Sequence, residues 1–234
     1  MLKLAGIMLQ GAAVSLQIFG LTLVFALPLA LLVTLGRMSR NIVVSSVFKF
    51  YILILRGTPL MLQIIFLYFA PKQLFIFLQK TLTETITSPV FWDGLRAVLS
   101  YNRFTAVIIA FVLNYTAYFA EIYRGGIESI SRGQYEAAKV LGFTGPQTFL
   151  RIILPQVIKR ILPATGNEVI TLVKDTALAR VIGIVELLRV AETAANREFS
   201  TMPFLMAGLF YLVMNWLVTM AFAYFEKKLS YYKV

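Results

Sequence analysis

Five long apolar runs dominate the pattern of hydrophobic and polar positions along this 234-residue chain. An α-helix needs roughly 20 mostly apolar residues to cross the hydrocarbon core of a bilayer, and each run is about that long. The pattern therefore predicts an all-α membrane protein. Its five transmembrane helices are expected at residues 11–35, 47–70, 104–123, 164–188 and 202–224.

Two of these runs carry features that an ordinary spanning helix lacks. The second contains Arg56 followed by Gly57-Thr58-Pro59, which predicts a loosened helix of the kind that exposes backbone groups to a transported solute. The fourth contains four charged residues, which lower its hydropathy; they are Glu168, Lys174, Asp175 and Arg180.

Two segments between the runs are predicted to lie outside the membrane. Residues 71–102 are expected to form one or two interfacial helices in an external loop. Residues 124–163 form a longer loop, in which Ser131 and Gln134 fit a capping box that begins a helix near Arg132. Gly142 is expected to end that helix in the left-handed conformation.

A second helix is predicted directly after Gly142. Thr144 and Gln147 form another capping box, with Pro146 in the first turn. Pro155 is expected to interrupt or kink this helix. Phe143, Phe149 and Leu150 would leave apolar area exposed, which favours docking of a soluble partner over a bare surface hairpin.

Composition excludes a soluble protein and the commonest catalytic chemistry. Hydrophobic residues make up 59% and charged residues only 14%, against about 25% charged in globular chains. The chain has no cysteine and no histidine, so it lacks thiolate and imidazole nucleophiles and the usual zinc ligands. We predict no catalytic residue, no metal site and no enzyme activity in this chain.

The net charge of +11 indicates membrane topology rather than nucleic-acid binding, because the Lys and Arg residues lie mostly at the ends of the apolar runs. Twelve of them fall on the side of loop 124–163 and seven on the other side. The positive-inside rule then places that loop and the C-terminus in the cytoplasm and the N-terminus outside.

Ionisable and polar groups inside the predicted spans are the candidates for a substrate pathway, because burying them in a bilayer is costly. Asn114, Tyr118 and Glu121 share one helical face, as do Glu168, Thr171 and Asp175. The full set of pathway candidates is Asp175, Glu168, Asn114, Tyr118, Thr171, Arg56, Thr58, Glu121 and Lys174.

A structural role for these charges stays open beside the pathway role. Lys174 with Asp175, or Arg56 with Glu121, would also fit ion pairs between helices or at the base of loop 124–163. Carboxylates that meet an ammonium group and an arginine that meets a carboxylate would suit a zwitterion. Asp175 and Glu168 are the preferred pathway candidates.

The loop at 124–163 carries a spaced motif: Glu136-Ala137-Ala138, three residues, Gly142, nine residues, then Ile152-Ile153-Leu154-Pro155. This motif resembles the EAA loop of ABC importer permeases and matches its pattern without a gap. Residues 117–127, 56–60 and 174–178 look like segments of the polar amino-acid permeases for histidine, glutamine and arginine. The resemblance covers the chain from about Gly11 to Phe225, and its departure is residues 71–102, which are longer than the compact members of the family need.

The resemblance implies a type I ABC importer permease fold in a bacterial cytoplasmic membrane. It implies two ABC ATPase subunits, a second identical or paralogous permease and an external solute-binding protein as partners, with the lipid bilayer and without nucleic acid. ATP and Mg²⁺ would bind to the ATPase, since this chain has no Gly-rich phosphate loop. The coupling residues would be Glu136, Ala137, Ala138, Gly142, Phe143, Thr144, Phe149, Leu154 and Pro155.

The expected function is therefore that of a permease subunit for a polar amino acid. An ion-gradient-driven secondary amino-acid transporter is the alternative, and a purely structural membrane scaffold is a third class. The EAA-like loop counts against the secondary transporter, because such a protein has no ATPase to contact. The charges within the spans count against the scaffold.

Overall fold

A computed structural model describes residues 2–82, 85–86 and 88–229 of the chain. Within these residues it consists of helices and short connections, without strands. In chain order the α-helices are α1 (Leu2–Arg37), α2 (Ile42–Gly57), α3 (Leu60–Leu82), α4 (Pro89–Leu99), α5 (Arg103–Glu128), α6 (Arg132–Val140), α7 (Gly145–Thr148), α8 (Leu154–Asp175), α9 (Leu187–Glu198) and α10 (Met202–Leu229). A π-helical turn spans Phe149–Ile153 and a 3₁₀ helix spans Thr176–Ile182.

Four of the described helices, rather than five, are long and apolar enough to cross a membrane alone. They cover Lys3–Arg37, Leu60–Leu82, Arg103–Glu128 and Met202–Lys228. The first, third and fifth predicted spans thus lie within α1, α5 and α10. The second and fourth predicted spans differ from the structure, because each is divided into shorter pieces.

The second predicted span, 47–70, is two helices in succession rather than one. α2 ends at Gly57, Thr58 is extended (φ −121°, ψ 146°), and α3 begins at Leu60. At the start of α2, Ser45 Oγ donates to Arg37 O at 2.9 Å, and Tyr101 OH next to α5 donates to Leu67 O at 2.5 Å. These two hydrogen bonds tie α2 to the end of α1 and α3 to the residues before α5, and the break at Thr58 lies between α2 and α3.

The fourth predicted span, 164–188, is also not one helix. α8 starts earlier, at Leu154, and ends at Asp175, where the chain tightens into the 3₁₀ helix. Gly183 then adopts a left-handed conformation (φ 83°), which an L-residue with a side chain adopts only at a cost. Hydropathy depends on composition and not on backbone conformation. It therefore assigned the end of α8, the 3₁₀ helix and the turn before α9 to one predicted helix.

Residues 71–102 divide differently from the predicted external loop. α3 continues through Pro71 to Leu82, so the first part of the segment extends a spanning helix. α4 is the separate helix expected there, and Trp92 is its buried residue. Trp92 Nε1 donates to Ile86 O at 2.9 Å, which links α4 to Ile86.

α5 is the central helix and contains the largest group of buried residues. It packs against α1, α3, α8 and α2. Asn102 begins it by accepting a hydrogen bond from Thr105 N at 2.8 Å. Small residues permit close packing: a Cβ on Gly126 would lie 2.2 Å from Ile161 Cγ2 of α8. α5 and α8 are therefore held together at the base of the segment that carries α6 and α7.

The segment between α5 and α8 forms the two helices that the sequence predicts. α6 ends as expected, with Gly142 left-handed (φ 77°). Gly142 N donates to Lys139 O and Phe143 N to Ala138 O, both at 3.0 Å, which is a Schellman motif. Thr144 N donates to Gln147 Oε1 at 2.9 Å, as a capping box requires.

The capping box expected at the start of α6 does not form. The Ser131 side chain makes no capping hydrogen bond, and Gln134 Oε1, which would accept from Ser131 N in a capping box, accepts from Gln156 Nε2 of α8 at 3.2 Å. At Pro155 the expected interruption takes the form of the π-helical turn directly before it, which accommodates the missing N–H, and α8 continues to Asp175.

Candidate functional site

The break between α2 and α3 frees backbone carbonyl groups that two amide side chains satisfy. Gln63 Nε2 donates to Leu55 O at 2.9 Å, Thr58 O at 3.0 Å and Thr58 Oγ1 at 2.9 Å. Asn114 Nδ2 of α5 donates to Leu55 O and to Gln63 Oε1, both at 3.0 Å. The break is thus a fixed part of the fold, braced from α5.

A cavity of about 540 Å³ opens at this break, between α2, α3, α5 and α8. That volume lies within the range of sites for small molecules. Its wall carries one arginine and two carboxylates. The lining residues are Arg56, Gly57, Thr58, Pro59, Leu60, Asn114, Tyr115, Tyr118, Glu168, Thr171, Asp175 and Leu178.

The two carboxylates of the cavity differ in their partners. Tyr115 OH donates to Asp175 Oδ2 at 2.7 Å, which fixes Asp175 at the end of α8. Glu168, about two helical turns earlier, is half-buried and makes no hydrogen bond or ion pair within 4 Å among the residues that the structure describes. Glu168 therefore keeps its acceptor capacity for a ligand.

Arg56 links the cavity to a cluster of charges at one end of α5. Its Cζ lies 5.1 Å from the centroid of the Tyr118 ring, and its Nη1 lies 3.9 Å from Glu121 Oε2. Glu121 also pairs with Arg37 at 3.7 Å and with Arg124 at 2.7 Å. Arg124 in turn pairs with Glu128 at the end of α5.

Seven of the nine predicted pathway residues line this cavity: Arg56, Thr58, Asn114, Tyr118, Glu168, Thr171 and Asp175. Glu121 and Lys174 do not. Glu121 lies in the charge cluster, where the structural ion pair with Arg56 is present. Lys174 is exposed on another face of α8, and no ion pair with Asp175 forms among the described side chains.

Sequence reasoning missed two residues that shape the cavity, Gln63 and Tyr115. Gln63 is an isolated amide in the apolar run 60–70, and a polar group in such a run is a signal that deserved weight. Tyr115 lies beside Asn114 and carried no signal of its own. Its partner Asp175 is sixty residues away, so only the fold brings the two together.

A second candidate surface lies on α6, α7 and the π-helical turn. Glu136, Ala137 and Thr144 are exposed, whereas Ala138 is buried and Phe143 and Leu154 are half-buried. Large apolar side chains are exposed here without a partner among the described residues: Tyr135 (38%), Val140 (87%), Leu141 (73%), Phe149 (36%) and Leu150 (60%). Several exposed large apolar side chains within one short segment are typical of an interaction surface.

Comparison with known proteins identifies the family. The family model described as the binding-protein-dependent transport system inner membrane component matches residues 11–231, nearly the whole chain. This chain belongs to that family. The match extends over α1 to α10, so it includes both the polar cavity at the α2–α3 break and the exposed apolar side chains on α6, α7 and the π-helical turn.

Several curated relatives of this permease are amino-acid transport proteins. The octopine transport system permease protein OccM of Rhizobium radiobacter is 34% identical over 94% of this chain and 84% of its own length. The arginine transport system permease protein ArtQ of Bacillus subtilis is 33% identical over 95% and 92%. The L-cystine transport system permease protein TcyB of the same species is 32% identical over 91% and 82%.

Solved structures agree with the family assignment. The permease superimposes with a TM-score of 0.81 on a chain from a crystal structure of an amino acid ABC transporter with histidines. Sequence identity is 30%, and the match covers 97% of this chain and 96% of the other. A chain of the inward-facing MetNI methionine ABC transporter gives a TM-score of 0.63 at 14% identity, which shows that the fold is shared.

Proposed function

We propose that this permease subunit of an amino-acid ABC importer carries its substrate through the cavity at the α2–α3 break. The observation that supports this most directly is the placement of Arg56, Glu168 and Asp175 around one cavity of about 540 Å³. Charged groups inside a membrane protein that face a cavity mark a solute path. The braced break keeps that cavity open next to α5.

The charges of the cavity suit an amino acid with a cationic side chain. Arg56 would meet the substrate carboxylate, because a guanidinium binds carboxylates with two parallel hydrogen bonds. Glu168 would accept from one substrate ammonium or guanidinium group, and Asp175, held by Tyr115, would meet the other. A neutral polar amino acid would leave one carboxylate unpaired, so it should bind more weakly.

The surface on α6, α7 and the π-helical turn would contact an ATPase subunit. Glu136 and Ala137 face outward from α6, and Val140 and Leu141 lead into the fixed turn at Gly142. Because the chain has no Gly-rich phosphate loop, ATP and Mg²⁺ would bind to that partner. The coupling roles of Phe143, Thr144, Phe149, Leu154 and Pro155 belong to the same proposal.

The assembly would contain two ATPase subunits, a second permease and an external solute-binding protein. The α2–α3 pair and α8 with its 3₁₀ extension would serve as the second and fourth of five crossings, in a type I importer fold. The charge distribution favours a cytoplasmic coupling surface, an external N-terminus and a cytoplasmic C-terminus in the bacterial inner membrane. The secondary-transporter alternative gains no support from the relatives.

Reconstitution of the complete transporter in proteoliposomes tests this function. We expect ATP-dependent uptake that arginine, lysine or histidine competes for more strongly than glutamine does. Glu168→Gln should lower uptake of cationic substrates, whereas Glu198→Gln, an exposed carboxylate on α9, should not. Uptake by the permease alone, driven by an ion gradient without an ATPase, would overturn the proposal.

A further inference from the structure

A second cavity, of about 610 Å³, lies between α3 and α4 and shares no residue with the first. Arg103 Nε, at the start of α5, donates to Tyr68 OH at 3.3 Å, next to the cavity. Arg103 lies at the opposite end of α5 from the charge cluster around Glu121 and from the segment that carries α6 and α7. The second cavity is therefore separate from both sites described above.

Two cations and one carboxylate line this cavity. They are Lys72 on α3, and Arg96 and Asp93 on α4. None of the three forms an ion pair within 4 Å or a hydrogen bond among the side chains that the structure describes. All three side chains are exposed, so they are accessible to a ligand, and the net positive charge of the wall suits an anion.

Aromatic rings make up much of the remaining wall. The cavity is lined by Tyr68, Phe69, Phe75, Trp92 and Tyr101. The rings of Phe75 and Trp92 pack edge to face, with their centroids 6.2 Å apart. Tyrosine and tryptophan are enriched where a membrane protein leaves the hydrocarbon for the headgroup region. Lysine and arginine side chains at the same level reach toward phosphate groups.

An apolar stripe on α3 leads directly into the cavity. Leu62 is 53% exposed, Phe66 69% and Phe69 48%, and their spacing places them on one helical face. Phe69 belongs to both the stripe and the cavity wall. A water-soluble anion would fill the charged cavity and leave the stripe bare, whereas an amphiphile would cover both.

α4 itself has the character of an interfacial helix. Val90 (81% exposed) and Val98 (71%) lie two turns apart on its outer face, while Asp93 and Arg96 face the cavity. A short helix with one apolar and one charged face lies in the plane of the membrane surface. In this position α4 would hold a lipid headgroup between itself and α3.

We propose that the cavity between α3 and α4 binds a membrane phospholipid. Lys72 and Arg96 hold its anionic phosphate headgroup, and its acyl chain follows the stripe Leu62–Phe66–Phe69. Asp93 accepts from a hydroxyl or ammonium group of the headgroup. The bound lipid fixes α4 against α3 at the membrane surface, without taking part in amino-acid transport.

Fluorescence quenching of Trp92 tests the lipid site in the assembled transporter. The chain has two tryptophans, so Trp216→Phe leaves Trp92 as the single reporter in the permease; partner tryptophans are replaced likewise. In nanodiscs, acyl-brominated phosphatidylglycerol should quench Trp92 at lower mole fraction than brominated phosphatidylcholine. Lys72→Gln with Arg96→Gln should reduce this preference about thirty-fold, because the two cations that meet the headgroup are both lost and each contributes about five-fold.

Matched variants separate charge at the cavity from charge elsewhere. Lys80→Gln removes an α3 cation outside the cavity and should leave the preference unchanged. Lys72→Arg with Arg96→Lys keeps both charges and should retain most of it. If the double Gln variant does not fold, each single substitution should still lower the preference about five-fold.

Three results would overturn the proposal. Equal quenching by the two lipids would show that no anionic lipid site exists. Displacement of the preference by soluble glycerol phosphate at low concentration would indicate a site for a soluble anion. Loss of solute-binding-protein affinity in the double variant, with lipid preference intact, would identify the cavity as a protein docking surface. The readout does not depend on uptake, so its failure leaves the transport proposal untouched.

Discussion

Replacing Glu121 with glutamine should destabilise the permease more than the same replacement of Glu128, the other carboxylate of α5. Its carboxylate is 18% exposed and faces three guanidinium groups, on Arg37, Arg56 and Arg124. Glu121→Gln keeps the size of the side chain but leaves these three positive charges near one another. The substitution therefore tests the charge cluster rather than packing.

The magnitude follows from the three contacts. Arg124 Nε and Nη2 donate to the carboxylate at 3.1 and 2.7 Å, and a charge-assisted bond contributes about 1.5–3 kcal/mol. The pairs with Arg37 and Arg56, at 3.7 and 3.9 Å, contribute about 0.2–1 kcal/mol each because water partly screens them. Counting the two bonds to Arg124 as one bidentate pair, we expect a loss of about 2–5 kcal/mol in the free energy of unfolding.

Denaturant unfolding of the permease in mixed micelles measures this loss, with Glu128→Gln as the control. Among the described residues Glu128 pairs with Arg124 alone, and its side chain is 53% exposed, so its loss should cost about 1 kcal/mol or less. Adding Arg37→Gln to Glu121→Gln should recover part of the stability by removing a like charge. Equal effects of the two single substitutions, or no recovery, would refute this reasoning.

Four further predictions concern packing, the coupling turn, the break and pH. Gly126→Ala should cost about 1–3 kcal/mol of stability by overpacking against Ile161, measured by unfolding, and Ile161→Ala should relieve it. Gly142→Ala should weaken ATPase binding in a pull-down by straining the left-handed turn by about 1–2 kcal/mol, whereas Gly133→Ala inside α6 should not. Gln63→Leu should cost about 2–4 kcal/mol by leaving carbonyls at the break unsatisfied; unchanged unfolding would contradict the bracing role. The hydrogen bond from Arg189 lowers the pKa of Glu192, so the ion pair between Glu192 and Arg180 should persist at neutral pH and weaken only as pH falls below the ordinary glutamate range. Hydrogen exchange in α9 should therefore speed up only at such acidic pH, and Glu192→Gln should remove this pH dependence.

Local signals made part of the structure predictable from the sequence. Gly142 was expected to end α6 in the left-handed conformation, because glycine adopts that conformation without steric cost. Gly57-Thr58-Pro59 was expected to loosen the second span, because proline cannot continue the hydrogen bonding of a preceding helix. Both features depend on a few neighbouring residues, and the structure confirms both.

Features that depend on distant contacts were not predictable in the same way. Asn114 was predicted as a pathway residue and lines the cavity, but the sequence did not predict that its amide donates to Leu55 O and Gln63 across the break. Glu121 was also predicted as a pathway residue, whereas it lies beside the cavity, paired with Arg124 of α5 and with Arg37 and Arg56 of other helices. Helical periodicity identifies the face on which a side chain lies, but not the partner that the fold brings to that face.

The backbone breaks within the second and fourth predicted spans were not predictable from hydropathy for a related reason. A hydropathy window sums composition over about 20 residues, so it did not detect the break in 47–70 or the 3₁₀ helix within 164–188. These two pieces of irregular backbone border the cavity, at Thr58 and next to Asp175. The positions where the backbone interrupts the second and fourth predicted spans are therefore those from which the proposed transport site is built.

Equilibrium binding of radiolabelled arginine and glutamine to the nucleotide-free permease assembly, without the solute-binding protein, tests the central claim most directly. If the α2–α3 cavity holds the substrate, Glu168→Gln should weaken arginine binding roughly tenfold to hundredfold and change glutamine binding little. Arg56→Gln should weaken both, because both substrates carry the carboxylate. Unchanged arginine affinity in both variants would contradict the account and move the substrate path elsewhere in the permease.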